Sequence, residues 1–284
     1  MKILGLFVLF AYSVVARVID ETCDEVIVHN IHHNKEIIKE GINSAYQLAI
    51  DYDRNMLFFS YSKDDAGSMF SSAYINLKTN EYKEIEGING GFANAVDGQT
   101  KTVYLGGNDG IYKFDYETGK ATHIDGVNDN TWQIFIKKDI YYTTYPDEYV
   151  YVYKNGQSQR VPEMLETKAM LVALDNNDNI YFSNSSGLFV HKKVKNYVVF
   201  LGEYNLNSIT NDINGNLFFS TPKGVYFIDD ESKQVKKLVS IDNIYGVVVE
   251  KDGNIIYASQ DSIVRLKPSK TNCVVNEKRS VDVI

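Results

Sequence analysis

The chain has 284 residues, 44% hydrophobic and 23% charged, a globular composition long enough to bury a sizeable core. Its net charge of −8 argues against a nucleic acid or an anionic membrane surface as partner, since both require a basic face. With 21 Tyr and 14 Phe against only 4 Pro, the composition favours strands, where aromatic residues pack well on a pleated surface.

From the N-terminus the chain reads "MKILGLFVLFAYSVVARVIDE". Lys2 supplies a short positive start, residues 3–15 an apolar run, and Val14-Val15-Ala16 the small residues of a cleavage site. Residues 1–16 are expected to be a secretory signal peptide, and 17–284 a single secreted, extracellular domain. The apolar run is short for a membrane span and no later run is longer, so no membrane association is expected. Cys23 and Cys273 are the only cysteines, and in an oxidising compartment they are expected to form one disulfide joining the start of the mature chain to its end. The stretch "DEVIVHNI" over 24–31 alternates as a strand does. His29, His32 and His33 cluster at its end, but His32 faces away from the other two along an extended chain, so surface positions are expected rather than a metal site.

Six short apolar runs follow: "YQLAID", "FANAVD", "WQIFIK", "MLVALD", "NSITND" and "YGVVVE". They end at residues 51, 97, 137, 175, 212 and 250, a period of about forty. Each is followed by a second run such as "LFFSTP" and a third such as "GVYFID", and in five cases by a more polar fourth such as "QVKKLV". The pattern predicts an all-β fold, a six-bladed β-propeller with four antiparallel strands per blade. The sixth unit lacks a fourth strand after Leu266, and 24–31 is expected to supply it, closing the ring beside the Cys23–Cys273 disulfide. The tail over 274–284 reads as an edge strand or as a disordered end.

Within the fourth unit, "DNNDNIYFSNSSGLFV" alternates Asp175, Asn177 and Asn179 as EF-hand ligands alternate. That loop requires Gly at its sixth position and Glu at its twelfth, which here are Ile180 and Ser186. The Asp/Asn runs are therefore expected to be hairpin turns between first and second strands, like Asn214-Gly215 and Asp252-Gly253. Asn184-Ser185-Ser186 is a glycosylation sequon in a predicted loop.

A propeller commonly binds its ligand at the mouth of the central channel, where the inner strands begin. The residues opening the six aligned runs are Tyr46, Phe92, Trp132, Met170, Asn207 and Tyr245. They read either as packing between blades or as a ring of flat, polarisable walls for a planar conjugated ligand. Asn94 and Asn207 would serve as polar anchors, with Tyr61, Asn108, Tyr145, Asn184 and Gln260 as further hydrogen-bonding groups nearby. Propellers similar to gluconolactonase and paraoxonase hold a metal at these strand starts with Glu, Asn and Asp. Here only Asn207 and the offset Asn94 offer oxygens, so no metal ligand and no catalytic residue is expected. G-x-S-x-G, H-E-x-x-H and Walker sequences are missing.

The leader "MKILGLFVLF", repeats of the type "NLFFSTPKGVYFIDD" and the two terminal cysteines together resemble the ommochrome-binding proteins of lepidopteran haemolymph, and more loosely the yellow and royal jelly group. The resemblance implies a carrier of an ommochrome, a tryptophan-derived phenoxazinone pigment, that does not transform it. A small aromatic pigment is then the expected partner, with no cofactor beyond it, in a monomer without nucleic acid or membrane. A metal-dependent lactonase-like hydrolase and a protein-interaction propeller are the alternatives.

Overall fold

A computed structural model of the chain describes residues 25–63, 70–229, 232 and 234–269. The expected signal peptide, Cys23, Cys273 with their disulfide, and the tail over 274–284 lie outside the described residues.

The period of the sequence becomes six sheets, five of four strands and one of five. Within each blade consecutive strands pair antiparallel, from the axis outward. The inner strands are Ala45–Asp51, Ala93–Asp97, Thr131–Ile136, Leu171–Leu174, Ser208–Asn211 and Gly246–Val249. Each touches the next, and the sixth touches the first, so the molecule is a closed six-bladed β-propeller.

Blades stack face to face, which buries both faces of their middle strands. Second strands are therefore near-continuous apolar runs rather than alternating ones: in Met56–Ser62, the consecutive residues Leu57, Phe58 and Phe59 are all inaccessible. Hydrophobic clusters fill the gaps between successive blades, the largest joining blades three to five around Tyr181, Phe219 and Met164. Each such side chain contributes about 1.5–3 kcal/mol through burial.

The Asp/Asn runs are turns, as expected. Asp175 Oδ1 accepts from the amides of Asn177 and Asn179, and its Oδ2 from the Asn179 side chain. Asp212 repeats this arrangement with Asn214 and Asn216. Gly215 and Gly253 close their turns at φ +85 and +88, where a Cβ is disfavoured. Asp178 occupies the same place in blade four at φ +57, a conformation Asp tolerates.

The N-terminal chain completes the sixth blade, as expected, but with a different segment from the expected 24–31. The fourth strand of blade six is Ile31–Glu40, which pairs antiparallel with Ser262–Pro268. The predicted closing segment instead provides Glu25–Val28, a fifth strand outside it. His29 and Asn30, at φ +46 and +63, form the two-residue turn between them. A bulge between Ile37 and Lys39 breaks the alternation, leaving Ile37 53% exposed while Ile38 is 6% exposed. An ion network fastens this closure. Arg265 donates to both oxygens of Glu250 (2.7 and 2.9 Å), to Glu36 (2.9 Å) and to the Leu77 carbonyl of blade one.

Candidate functional site

The aligned inner-strand starts occupy one place in the architecture. The amides of Phe92, Met170, Asn207 and Tyr245 donate to Gly106, Ser183, Ser220 and Ala258 on their second strands, at 2.8–2.9 Å. In the other two blades the strand is irregular there. A register shift follows Tyr46, with Gln47 at φ +48, and another spans Trp132 between Thr131 and Gln133. Such bulges re-aim a side chain relative to a regular ladder.

Four of the six side chains form one contiguous set of rings. Tyr46 meets Tyr245 edge-on (5.4 Å) and Phe92 at a tilt (5.6 Å), and Phe92 stacks on Trp132 at 4.1 Å. Two more rings join them. Tyr145 stacks on Trp132 at 4.9 Å, and Phe70 lies 4.5 Å from Phe92, 5.7 Å from Tyr46 and 6.3 Å from Trp132. Phe92 is buried, Tyr46, Phe70, Trp132 and Tyr245 are half-buried, and Tyr145 is exposed, so the cluster runs from the interior to solvent. Sequence reasoning missed Phe70, which opens the third strand of blade one (Phe70–Asn76) rather than an inner strand.

The remaining predicted residues are placed differently. Met170 packs against the hydrophobic cluster of blades three to five. Asn207 donates to the Ile244 carbonyl at 2.6 Å, tying blade five to blade six. Asn94, two residues inward from Phe92 and 5% exposed, donates to Ser60 Oγ (2.8 Å) and to the carbonyls of Gln47 (3.1 Å) and Phe92 (3.3 Å). Its Oδ1 is buried without a partner. Tyr61 donates to Glu84 at 2.7 Å, and burial together with that carboxylate pushes its hydroxyl pKa far up. Asn184 ends the strand Ile180–Asn184, and its side chain accepts from the Ser186 amide, forming its own tight turn.

A cavity of about 570 Å³ follows the channel away from the aromatic rings. Gln47, Asn94, Ile134, Ser208 and Val247 line it, and none of the six inner-strand starts does. Toward the inner-strand ends it is bordered by Asp51, Asp97, Lys137 and Asp212. These charges serve the fold. Asp97 and Asp212 cap their own turns, and Lys137 donates to Asp178 and to the Asp175 carbonyl. Asp51, 2% exposed, accepts from the Tyr116 hydroxyl (2.6 Å), Arg54 (3.1 Å) and two turn amides. Burial alone would raise its pKa, but these bonds outweigh it and hold the carboxyl below its usual range.

Among the described residues, no three His, Cys, Asp or Glu side chains converge as a metal ion requires. His32 Nδ1 lies 2.8 Å from Glu25, while His33, buried rather than on the surface as expected, turns its Nδ1 to the Ile31 carbonyl at 2.9 Å. No described helix is long and apolar enough to cross a membrane.

No protein-family model matches the chain. It is 40% identical over 256 residues to the ommochrome-binding protein of Manduca sexta, covering 88% of this chain and 93% of that one. A gluconolactonase from Xanthomonas campestris has the same fold, with a TM-score of 0.67 at 13% identity, over 87% of this chain and 96% of that one. Streptogramin B lyase superposes at a TM-score of 0.58 with 11% identity, over 84% and 98% of the two chains.

Proposed function

This chain belongs to the family of the Manduca sexta ommochrome-binding protein, and on that premise we propose that it is a secreted haemolymph carrier that holds an ommochrome non-covalently at the aromatic mouth of its channel. The observation that carries the site is the contiguous set of rings made by Tyr46, Phe70, Phe92, Trp132, Tyr145 and Tyr245. A fused planar ring system stacks on such faces, and each stacked or edge-to-face pair adds about 0.5–1.5 kcal/mol beyond its burial. Asn94 supports the reading from beneath, since its unpartnered Oδ1 can accept one hydrogen bond from a ligand's N–H or O–H. Asn207 and Met170 border the same strand starts, and their amide and thioether would complete the rim.

Carriage without chemistry suits the side chains at this mouth: no carboxylate, histidine or thiol belongs to the ring set, so its three tyrosines have no base within it to activate them. The bacterial gluconolactonase shares the fold alone at 13% identity. Secretion rests on the leader sequence.

The test is a titration of the purified protein with xanthommatin, following the pigment's visible band and the emission of Trp132, the only Trp in the chain. A shifted band that co-elutes with protein and a quenched Trp132 are expected, with the pigment recovered unchanged. In the Trp132→Ala/Tyr245→Ala variant, affinity should fall at least about tenfold while the fold persists. Unchanged affinity in that folded variant would place the pigment elsewhere.

A further inference from the structure

The residue after each inner-strand start is Gln47, Ala93, Gln133, Leu171, Ser208 or Gly246, and five of these six have a plain structural task. Ala93 and Leu171 are buried in the clusters between blades. Gly246 leaves room for Leu48, whose Cδ1 would lie 2.6 Å from a Cβ there. Gln133 stitches blade three to blade four. Its Nε2 donates to the Val172 carbonyl (3.1 Å) and the Ile134 carbonyl (3.2 Å), and its Oε1 accepts from the Val172 amide (3.1 Å). Ser208 Oγ does the same between blades five and six, bonding Ser220 Oγ (2.8 Å) and accepting from the Val247 amide (3.2 Å).

Gln47 is the exception. It is 7% exposed, yet its carboxamide has no hydrogen-bond partner among the described residues, and neither polar atom is sealed inside protein. Only its backbone carbonyl is used, accepting from the Asn94 side chain at 3.1 Å. The backbone is also special here: the ladder shifts register after Tyr46, and Gln47 sits at φ +48. A residue with a Cβ adopts that conformation uncommonly, and such positions gather at binding sites. Gln47 lies where the rings give way to the channel. It follows Tyr46 directly, the Asn94 amide that meets its carbonyl also reaches the Phe92 carbonyl (3.3 Å), and it lines the cavity of about 570 Å³. That volume is in the range of small-molecule pockets.

We propose that the channel beneath the rings is a second compartment of the ligand site, where the Gln47 carboxamide pairs with a ligand edge carrying a hydrogen-bond donor beside an acceptor. Gln133 shows what a carboxamide at this position takes: an N–H and a C=O presented side by side, there by Val172. The matching ligand edge is a ring carbonyl next to an N–H or O–H. A hydrocarbon edge would leave the buried amide unpaired, so Gln47 selects against it. The inference rests on the pigment reading above. The aromatic rings hold the faces of the fused system, and Gln47 reads the edge that enters the channel.

The experiment is a titration of the mature protein and its Gln47→Met variant with xanthommatin, beside thermal melts of both without pigment. Met keeps the length of the side chain and its demand on the backbone but removes donor and acceptor. The variant should bind at least about tenfold more weakly. At saturation its pigment band should lie away from the wild-type position, because a hydrogen bond to a ring carbonyl shifts the chromophore's absorption. Without pigment the variant should melt no lower than wild type. Gln133→Met, which cuts the stitch to Val172, should melt lower. A Gln47→Met protein that loses as much melting temperature as Gln133→Met has lost a structural amide, and the proposal falls. If wild type binds the pigment and Gln47→Met matches it in affinity and band, this proposal alone is overturned. A wild type that binds no xanthommatin overturns the carrier reading and this inference together.

Discussion

Asp51 and Trp132 show how differently single side chains serve this molecule. Asp51 is a buried carboxylate with four donors, one of them the Tyr116 hydroxyl of blade two, so it staples two blades. Its pKa is depressed in the folded protein, so its contribution is complete above the unfolded value of about 4 and is lost as pH falls through the lower folded one. Asp51→Asn should cost about 1–3 kcal/mol at neutral pH. It should also flatten the loss of urea resistance on acidification; parallel acid profiles for variant and wild type would disprove the assignment. Because Asp51 lies at the far end of the channel from the rings, the same variant should keep its pigment affinity. At this scale the sequence was partly legible. Aligning the repeats brought Tyr46, Phe92, Trp132 and Tyr245 to equivalent positions, and their rings touch. Phe70 was hidden because it opens a third strand, where no repeat position flags it. Tyr145 was read as a hydrogen-bonding group because spacing carries no information about ring orientation. Asn94 sits one pleat below Phe92, which puts its amide into a staple with Ser60 and the Gln47 carbonyl.

Among the strands, the blades were legible and so was closure by the N-terminal chain, but the segment that closes it was not. Second strands are buried on both faces and the first and third strands flanking them are largely apolar, so all three stand out between turn residues. The closing strand Ile31–Glu40 reads IHHNKEIIKE, mostly polar, with its two adjacent isoleucines thrown to opposite sides beside a bulge. Neither an apolar run nor a clean alternation marks it. The strand is held by pairing and by Arg265 more than by burial. Arg265 is itself buried, and removing it leaves Glu250 and Glu36 without their shared cation. Arg265→Met should therefore lower stability by about 3 kcal/mol in equilibrium unfolding. A loss below about 0.5 kcal/mol would mean that backbone pairing alone fastens the ring.

For the molecule as a whole, the decisive relation is between its first and last described strands. Glu25 pairs with Asn34 and Pro268 with His33, so the first and last described strands lie on either side of one strand. Those flanking positions are about 10 Å apart, two ladder spacings. Cys23 lies two residues before Glu25 and Cys273 five after Pro268, lengths of chain sufficient for the sulfurs to meet. A Cys23–Cys273 bond would close nearly the whole chain into one loop, worth about 4–5 kcal/mol by chain entropy. Thermal unfolding with and without reductant measures it, and identical midpoints would exclude a stabilising bridge.

The shared sixth blade also dictates an order of events during synthesis. Residues 31–40 leave the ribosome early, yet their ladder partner is 262–268, which emerges more than two hundred residues later. Until then the first blade's inner flank and the exposed face of each newest blade have nothing to cover them. Whatever blades form before that point can make only an open arc, and the ring closes in a long-range step. That step joins the most distant parts of the chain and so carries the largest loop-closure cost.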